Sequence, residues 1–173
     1  MRSSFVLAAL CSSVFSFGQD LVLYGDIREH EEKRAIPDAT MAIVSNGIHQ
    51  FNMKSDSVGH YSIALDVGKV WRVRYSAPGR VSKLVEFDLR DTPKYDGGYG
   101  MNVDIRLFRE DPSMDFTFLE EPIGISRYDS VSTTIKWDMD YTAPRMERLR
   151  TLMPERYTIE TDTDSVPKAV QEE

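Results

Sequence analysis

Few residues in this chain have types and spacing suited to chemistry. The three histidines, His30, His49 and His60, stand in polar or turn contexts without ligand spacing. Three positions after His30 is Lys33, where a His-x-x-Glu zinc motif needs its carboxylate. Serine, histidine and aspartate all occur, but no Gly-x-Ser-x-Gly elbow does, and the single cysteine, Cys11, falls in the N-terminal apolar run. Asp138 and Asp140, flanked by Trp137 and Tyr141, resemble half a calcium site or a pair of sugar-binding carboxylates beside aromatic platforms. The plainer reading is a strand that turns Trp137, Met139 and Tyr141 to the core and the aspartates to water. Asp162 and Asp164 alternate too, without the glycine and closing glutamate of a calcium loop. These residues imply no catalytic, cofactor-binding or metal-binding constellation.

Two segments suit binding better. In residues 91–100, Tyr95 and Tyr99 stand among Gly97, Gly98 and Gly100 with Lys94 and Asp96, giving a pliant backbone and rings able to cover a ligand or partner. The bland alternative is an ordinary long connection. Farther on, Arg145, Arg148 and Arg150, with Arg156 beyond them, concentrate positive charge in an otherwise acidic chain. They read either as a solvated helix face or as a contact to an acidic partner or anionic headgroups, Arg145 and Arg148 facing outward.

The elements that must position these residues are mostly strands. Period-two stripes recur at Leu21, Leu23 and Ile27; at Met41 and Ile43; at Phe51 and Met53; and at Tyr61, Ile63, Leu65 and Val67. Further stripes run through Trp71, Val73 and Tyr75; Val85, Phe87 and Leu89; and Val103, Ile105 and Leu107. Turn residues separate them, and no long helical stripe intervenes. The pattern predicts an all-β, antiparallel, seven-stranded Greek-key sandwich over residues 19–110.

Residues 111–159 form a C-terminal extension. Pro112 opens it, Phe116, Phe118 and Leu119 cluster, and strand-like runs at 123–128 and at Ile135, Trp137, Met139 and Tyr141 suggest a hairpin or extended arms laid on the sandwich. Thr142 and Pro144 read as the start of a short helix, with Met146, Leu149 and Leu152 or Met153 at helical spacing before Pro154. Residues 160–173 are rich in Thr, Asp, Ser, Pro and Glu, a composition that predicts disorder.

Four blocks then carry a resemblance. Gly25-Asp26-Ile27, Ile36-Pro37-Asp38-Ala39-Thr40-Met41-Ala42-Ile43, Ser55-Asp56-Ser57-Val58-Gly59-His60-Tyr61-Ser62-Ile63 and Val73-Arg74-Tyr75-Ser76-Ala77-Pro78-Gly79-Arg80-Val81 occur in that order. Together they resemble the carboxypeptidase regulatory-like domain, whose fold is a transthyretin-like (prealbumin-like) β-sandwich. Arg80 stands where many members carry an aromatic residue. The resemblance implies an accessory module of exported proteins that supports folding, contacts or assembly and brings no catalytic residues.

Composition bounds the partners. The chain has 173 residues and a net charge of −7, from 21 Lys and Arg against 28 Asp and Glu, which argues against a nucleic-acid partner. Residues 1–18 read as a signal peptide: Arg2, an apolar run from Phe5, and small residues before an expected cleavage between Gly18 and Gln19. Broken by Ser12, Ser13 and Ser16, that run falls short of a membrane-spanning helix. Removal of Cys11 with the signal leaves packing without disulfides. The reading is an exported, non-catalytic module of a Gram-negative envelope, periplasmic or outer-membrane-associated, that binds a protein partner or aids assembly. A carbohydrate-binding accessory and a hydrolase with an unrecognised site are the alternatives.

Overall fold

In a computed structural model, residues 20–152 are described, and they form ten strands, one 3-10 helical turn and one α-helix. The expected signal peptide at 1–18 and the tail at 160–173 lie outside the described residues.

The smaller sheet is built around β1 (Asp20–Glu29). On one side β1 pairs antiparallel with β4 (His60–Asp66); on the other it pairs in parallel with β7 (Tyr99–Asn102) and then with β8 (Ile105–Leu107). The larger sheet contains β2 (Thr40–Ser45), β3 (Ile48–Lys54), β5 (Val70–Ser76), β6 (Lys83–Asp88), β9 (Gly124–Asp129) and β10 (Thr134–Trp137). Its strands lie in the order β10-β9-β6-β5-β2-β3, with β6 and β9 parallel and the other neighbours antiparallel.

The fold is mostly β, as expected, but it differs from seven antiparallel strands. Ten strands form two mixed sheets, with parallel pairings at β1/β7, β1/β8 and β6/β9. Alternation reports which face of a strand is buried, and that stripe looks the same whichever way the neighbouring strand runs. The seventh stripe also divides. Val103 donates its N–H to the Tyr24 carbonyl, and the Asp104 carboxylate accepts the Asp26 N–H, so the chain crosses from β7 to β8 without leaving β1. The C-terminal arms do not lie across the sheets; as β9 and β10 they widen the larger one.

One apolar core joins the two sheets. Leu21, Leu23, Ile63 and Leu65 come from the smaller sheet, and Met41, Ile43, Trp71, Val73, Tyr75, Val85 and Phe87 from the larger. In β4 burial alternates strictly, so Tyr61, Ile63 and Leu65 point inward. The Tyr61 and Tyr75 rings meet edge to face at 5.5 Å between centroids, and Tyr61 donates its hydroxyl to the Val103 carbonyl at 2.6 Å. Two hydroxyls are thereby accommodated in an apolar interior, where an unbonded one is costly.

Glycine is required at close approaches. A Cβ on Gly25 would lie 2.5 Å from the Val103 carbonyl oxygen, so β1 can hold β7 and β8 this tightly only with glycine there. Gly59 has φ of 82° at the β3–β4 turn, the left-handed angle expected of it. Pro78 and Gly79 make the expected reversal, with Arg80 donating its N–H to Ala77 at 3.1 Å. The Arg80 guanidinium, half-buried, pairs with Glu29 and with Glu31.

Candidate functional site

The site forms where the loop after β6 meets the hairpin of β9 and β10. Leu89 begins the loop, and Thr92 turns back to donate its N–H to the Leu89 carbonyl at 3.2 Å. The loop closes on itself at Gly98, whose N–H bonds the Tyr95 carbonyl at 2.8 Å and whose φ is 64°. Tyr95 folds its ring over this turn; a Cβ on Gly97 would lie 2.6 Å from that ring. Glycine at 97 therefore lets the aromatic ring lie on its own loop. Tyr99 opens β7 in register with Leu21 and donates its hydroxyl to the Pro93 carbonyl at 2.9 Å, tying the two ends of the loop together.

The opposite wall comes from the C-terminal extension. Tyr128, near the end of β9, is in register with Ile135 of β10. The hairpin tip is held by Asp129, whose carboxylate accepts from Lys136 Nζ at 2.8 Å, the Val131 N–H at 2.9 Å and the Ser132 hydroxyl at 2.9 Å. Those bonds, the Lys136 one foremost, hold the Asp129 carboxyl far below its usual range. So anchored, the tip presents Thr133 and Thr134 to the loop.

Three tyrosine rings from three elements converge there. Tyr99 stands between Tyr95, 6.0 Å away at 55°, and Tyr128, 6.0 Å away at 78°. Tyr95 is 60% exposed, whereas Tyr99 and Tyr128 are half-buried. Burial, with the neighbouring Tyr128 and Tyr95 phenols, raises the Tyr99 hydroxyl above its ordinary value, so it stays a neutral donor. With Lys94, Gly100 and the two threonines, the rings line a cleft of about 530 Å³. Lys94 is the charged side chain of that lining, and it makes no ion pair or hydrogen bond with the described residues.

Sequence alone pointed to Tyr95 and Tyr99, and both line the cleft. It missed Tyr128, Thr133 and Thr134, which belong to a segment that pairs in parallel with β6 far upstream. An aromatic residue within an otherwise strand-like run, Ile123 to Tyr128, was the available signal.

The arginines have other partners. The Arg145 guanidinium lies 3.5 Å from the Tyr141 ring centroid and donates to the Tyr141 carbonyl at 3.3 Å; it is half-buried rather than turned outward. Arg148 covers Phe118 at 4.2 Å, and Arg150 pairs with Glu147 at 3.2 Å. Arg145 thus packs within α1 (Met139–Leu152) itself, whereas Arg148 fastens the helix to its surroundings, together with buried Leu149 and the Tyr141 hydroxyl on the Pro122 carbonyl.

The Asp138 region also differs from expectation. Strand β10 ends at Trp137, and the helix begins at Met139 rather than near Thr142. Asp138 caps it, accepting the Tyr141 N–H at 3.1 Å, and pairs with Arg127 at 3.1 Å. Satisfying a free N–H of the first turn is what a capping aspartate does, and it outweighs the strand-like alternation. Met139 is accordingly exposed, while Trp137 packs 6.4 Å from Phe87. Pro144 sits inside the helix.

The histidines are not brought together. His49 bonds Asn52 at 2.9 Å on β3, His60 pairs with Asp26, and His30 lies buried after β1. Among the described residues no group of three or more His, Cys, Asp or Glu is placed to hold a metal ion, and no helix is long and apolar enough to cross a membrane.

No family model and no curated protein matches the chain. Solved structures are similar over part of its length. The Bacillus anthracis TIE protein is 14% identical at a TM-score of 0.42, over 52% of this chain and 17% of that one. A putative carbohydrate binding protein from Bacteroides uniformis ATCC 8492 is 13% identical at 0.37, over 52% of this chain and 42% of that one. The dioxygenase domain of a dioxygenase carbohydrate-binding protein fusion from Streptomyces sp. SirexAA-E is 13% identical at 0.42, over 57% of this chain and 85% of that one. The chain spans less than half the length of the first two structures. Likenesses this partial assign neither a family nor a function.

Proposed function

We propose that this chain is an exported, non-catalytic binding module that holds a saccharide in the tyrosine cleft. The observation that carries the reading is the convergence of Tyr95, Tyr99 and Tyr128 on one cleft of ligand size. A sugar ring offers an apolar face of C–H groups to an aromatic ring and hydroxyls around its rim. Here the rings supply the platform, while Thr133, Thr134 and Lys94 supply hydrogen-bonding groups at its edge. The lining side chains are aromatic, hydroxyl and amine groups, a set suited to stacking on a ligand and hydrogen-bonding its rim.

Saccharide binding is favoured over a protein partner met through the helix arginines, because Arg145 and Arg148 already cover Tyr141 and Phe118. The resemblance to carboxypeptidase regulatory-like modules, accessories of exported proteins, supports the same class.

Calorimetric titration of the mature protein against a panel of neutral and acidic oligosaccharides tests the reading. Binding is expected for part of the panel. Tyr95→Ala and Tyr128→Ala should each weaken it about tenfold, the worth of one good aromatic contact. Absence of binding across the panel, or unchanged affinity in both variants, would overturn it.

Export belongs to the same proposal and rests on the pattern in residues 1–18. Intact-mass measurement on envelope-fraction protein is expected to give an N-terminus near Gln19. A cytoplasmic protein retaining Met1 contradicts it.

A further inference from the structure

We infer that the cleft selects an anionic saccharide, one whose sugar ring carries an acidic group, and that Lys94 is the residue that reads the charge. The inference rests on the proposed saccharide reading of the same cleft and narrows it.

The other basic side chains of the loop and the hairpin that build the cleft are committed. Lys136 is paired with Asp129 at 2.8 Å, Arg90 with Asp88 at 2.7 Å and Arg127 with Asp138 at 3.1 Å. Lys94 differs from them. It has no counter-ion or hydrogen-bond acceptor among the described residues, although carboxylates outnumber cations by 28 to 21 in the whole chain. Asp96, two residues away on the same loop, is exposed and does not line the cleft.

The wall therefore presents one positive charge and no negative one, beside three rings that exclude water from one face of a ligand. An ammonium at such an edge meets an acid group on a stacked sugar without first breaking a pair of its own. Partial exclusion of water by the rings strengthens that attraction relative to bulk solvent. A neutral sugar gains only a hydrogen bond from the same nitrogen. The rest of the acidic surface repels anions, so discrimination must come from this local charge.

Three probes separate the outcomes: a galacturonic-acid oligomer, its methyl-esterified form, which keeps the shape and removes the charge, and a sulfated galactan oligomer. Wild-type protein is expected to bind the free acid at least tenfold more tightly than the ester. Lys94→Gln should erase that difference by bringing binding of the free acid down to about the level of the ester, with thermal unfolding unchanged. Tighter binding of the sulfated oligomer than of the uronate, also lost in Lys94→Gln, supports the inference and identifies the acid group as sulfate. Equal binding of acid and ester by wild type, or an equal loss of both in Lys94→Gln, overturns charge selection and leaves the saccharide reading standing. No binding of any probe overturns the inference; if the wider neutral panel is also blank, the cleft reading falls with it.

Discussion

Trp71→Ala is expected to lower the free energy of unfolding by about 3 to 5 kcal/mol, the largest effect of any single truncation proposed for this chain. Trp71 is 5% exposed and lies on the core face of β5, in register with Ser45 of β2 and Phe87 of β6. Its indole N–H bonds the Asp66 carbonyl at 2.8 Å, fastening the turn that joins β4 to β5 and hence one sheet to the other. Truncation leaves a cavity between the sheets and deprives that carbonyl of its donor. Trp71→Phe retains most of the volume and should cost less, isolating the hydrogen bond at about 1 kcal/mol. Urea midpoints measure both, and wild-type midpoints in the alanine variant would mean that the indole faces solvent.

The second large effect concerns Lys83. Period two places this lysine on the same face as Val85 and Phe87, across from Tyr75, and it is 7% exposed with its ammonium 5.1 Å over the Phe108 ring. Burial, and secondarily the nearby Arg106 charge, lowers its pKa from 10.5 to about 8. At neutral pH the folded protein thus holds an ammonium that water would solvate better. Between pH 8 and 10.5 the unfolded chain holds the Lys83 proton more than the folded one does, so the contribution of this lysine to stability rises with pH through that window. The full gain is about 3 kcal/mol. Above pH 10 the sign reverses, because burial raises the Tyr75 and Tyr61 phenols and the unfolded chain then loses protons first. Lys83→Met should stabilise the protein at pH 7 by up to the same about 3 kcal/mol and flatten the rise above pH 8. Denaturant titrations at a series of pH values check this; a wild-type profile flat from pH 7 to 10 would refute it.

Both predictions draw on what alternation makes legible. Tyr61, Ile63, Leu65, Trp71, Val73, Tyr75, Val85 and Phe87 read from the sequence as one inward-facing set, and all eight are buried in a common core. Extending the Val85 and Phe87 stripe back by two residues would have reached Lys83, but a charged residue at a strand end is ordinarily read as solvent-facing. What alternation cannot report is strand direction. The parallel seating of β7, β8 and β9 depends on partners far away in the chain, as in Leu23 beside Met101 and Val85 beside Gly124. The same distance explains why half of the cleft was visible. Tyr95 and Tyr99 are flagged by their glycine-rich loop, whereas Tyr128 and the two threonines gain meaning only once β9 has docked beside β6. Asp138 was misjudged for a local reason: capping and strand alternation compete for the same residues, and the cap prevailed.

The central position of β1 bears on how quickly this protein can fold. The first strand of the described chain is the axis of its sheet, yet its nearest partner begins at His60 and the others at Tyr99 and Ile105. Every ladder it makes closes a long loop, and that entropy must be lost before the contacts repay it. The larger sheet has quick local beginnings in the β2–β3 and β5–β6 hairpins; the smaller sheet has none. While a ribosome extends the chain, β1 emerges early, can pair along one edge once β4 is made, and has its other edge open until residues past 100 follow. The smaller sheet therefore stays incomplete until most of the described residues have been made.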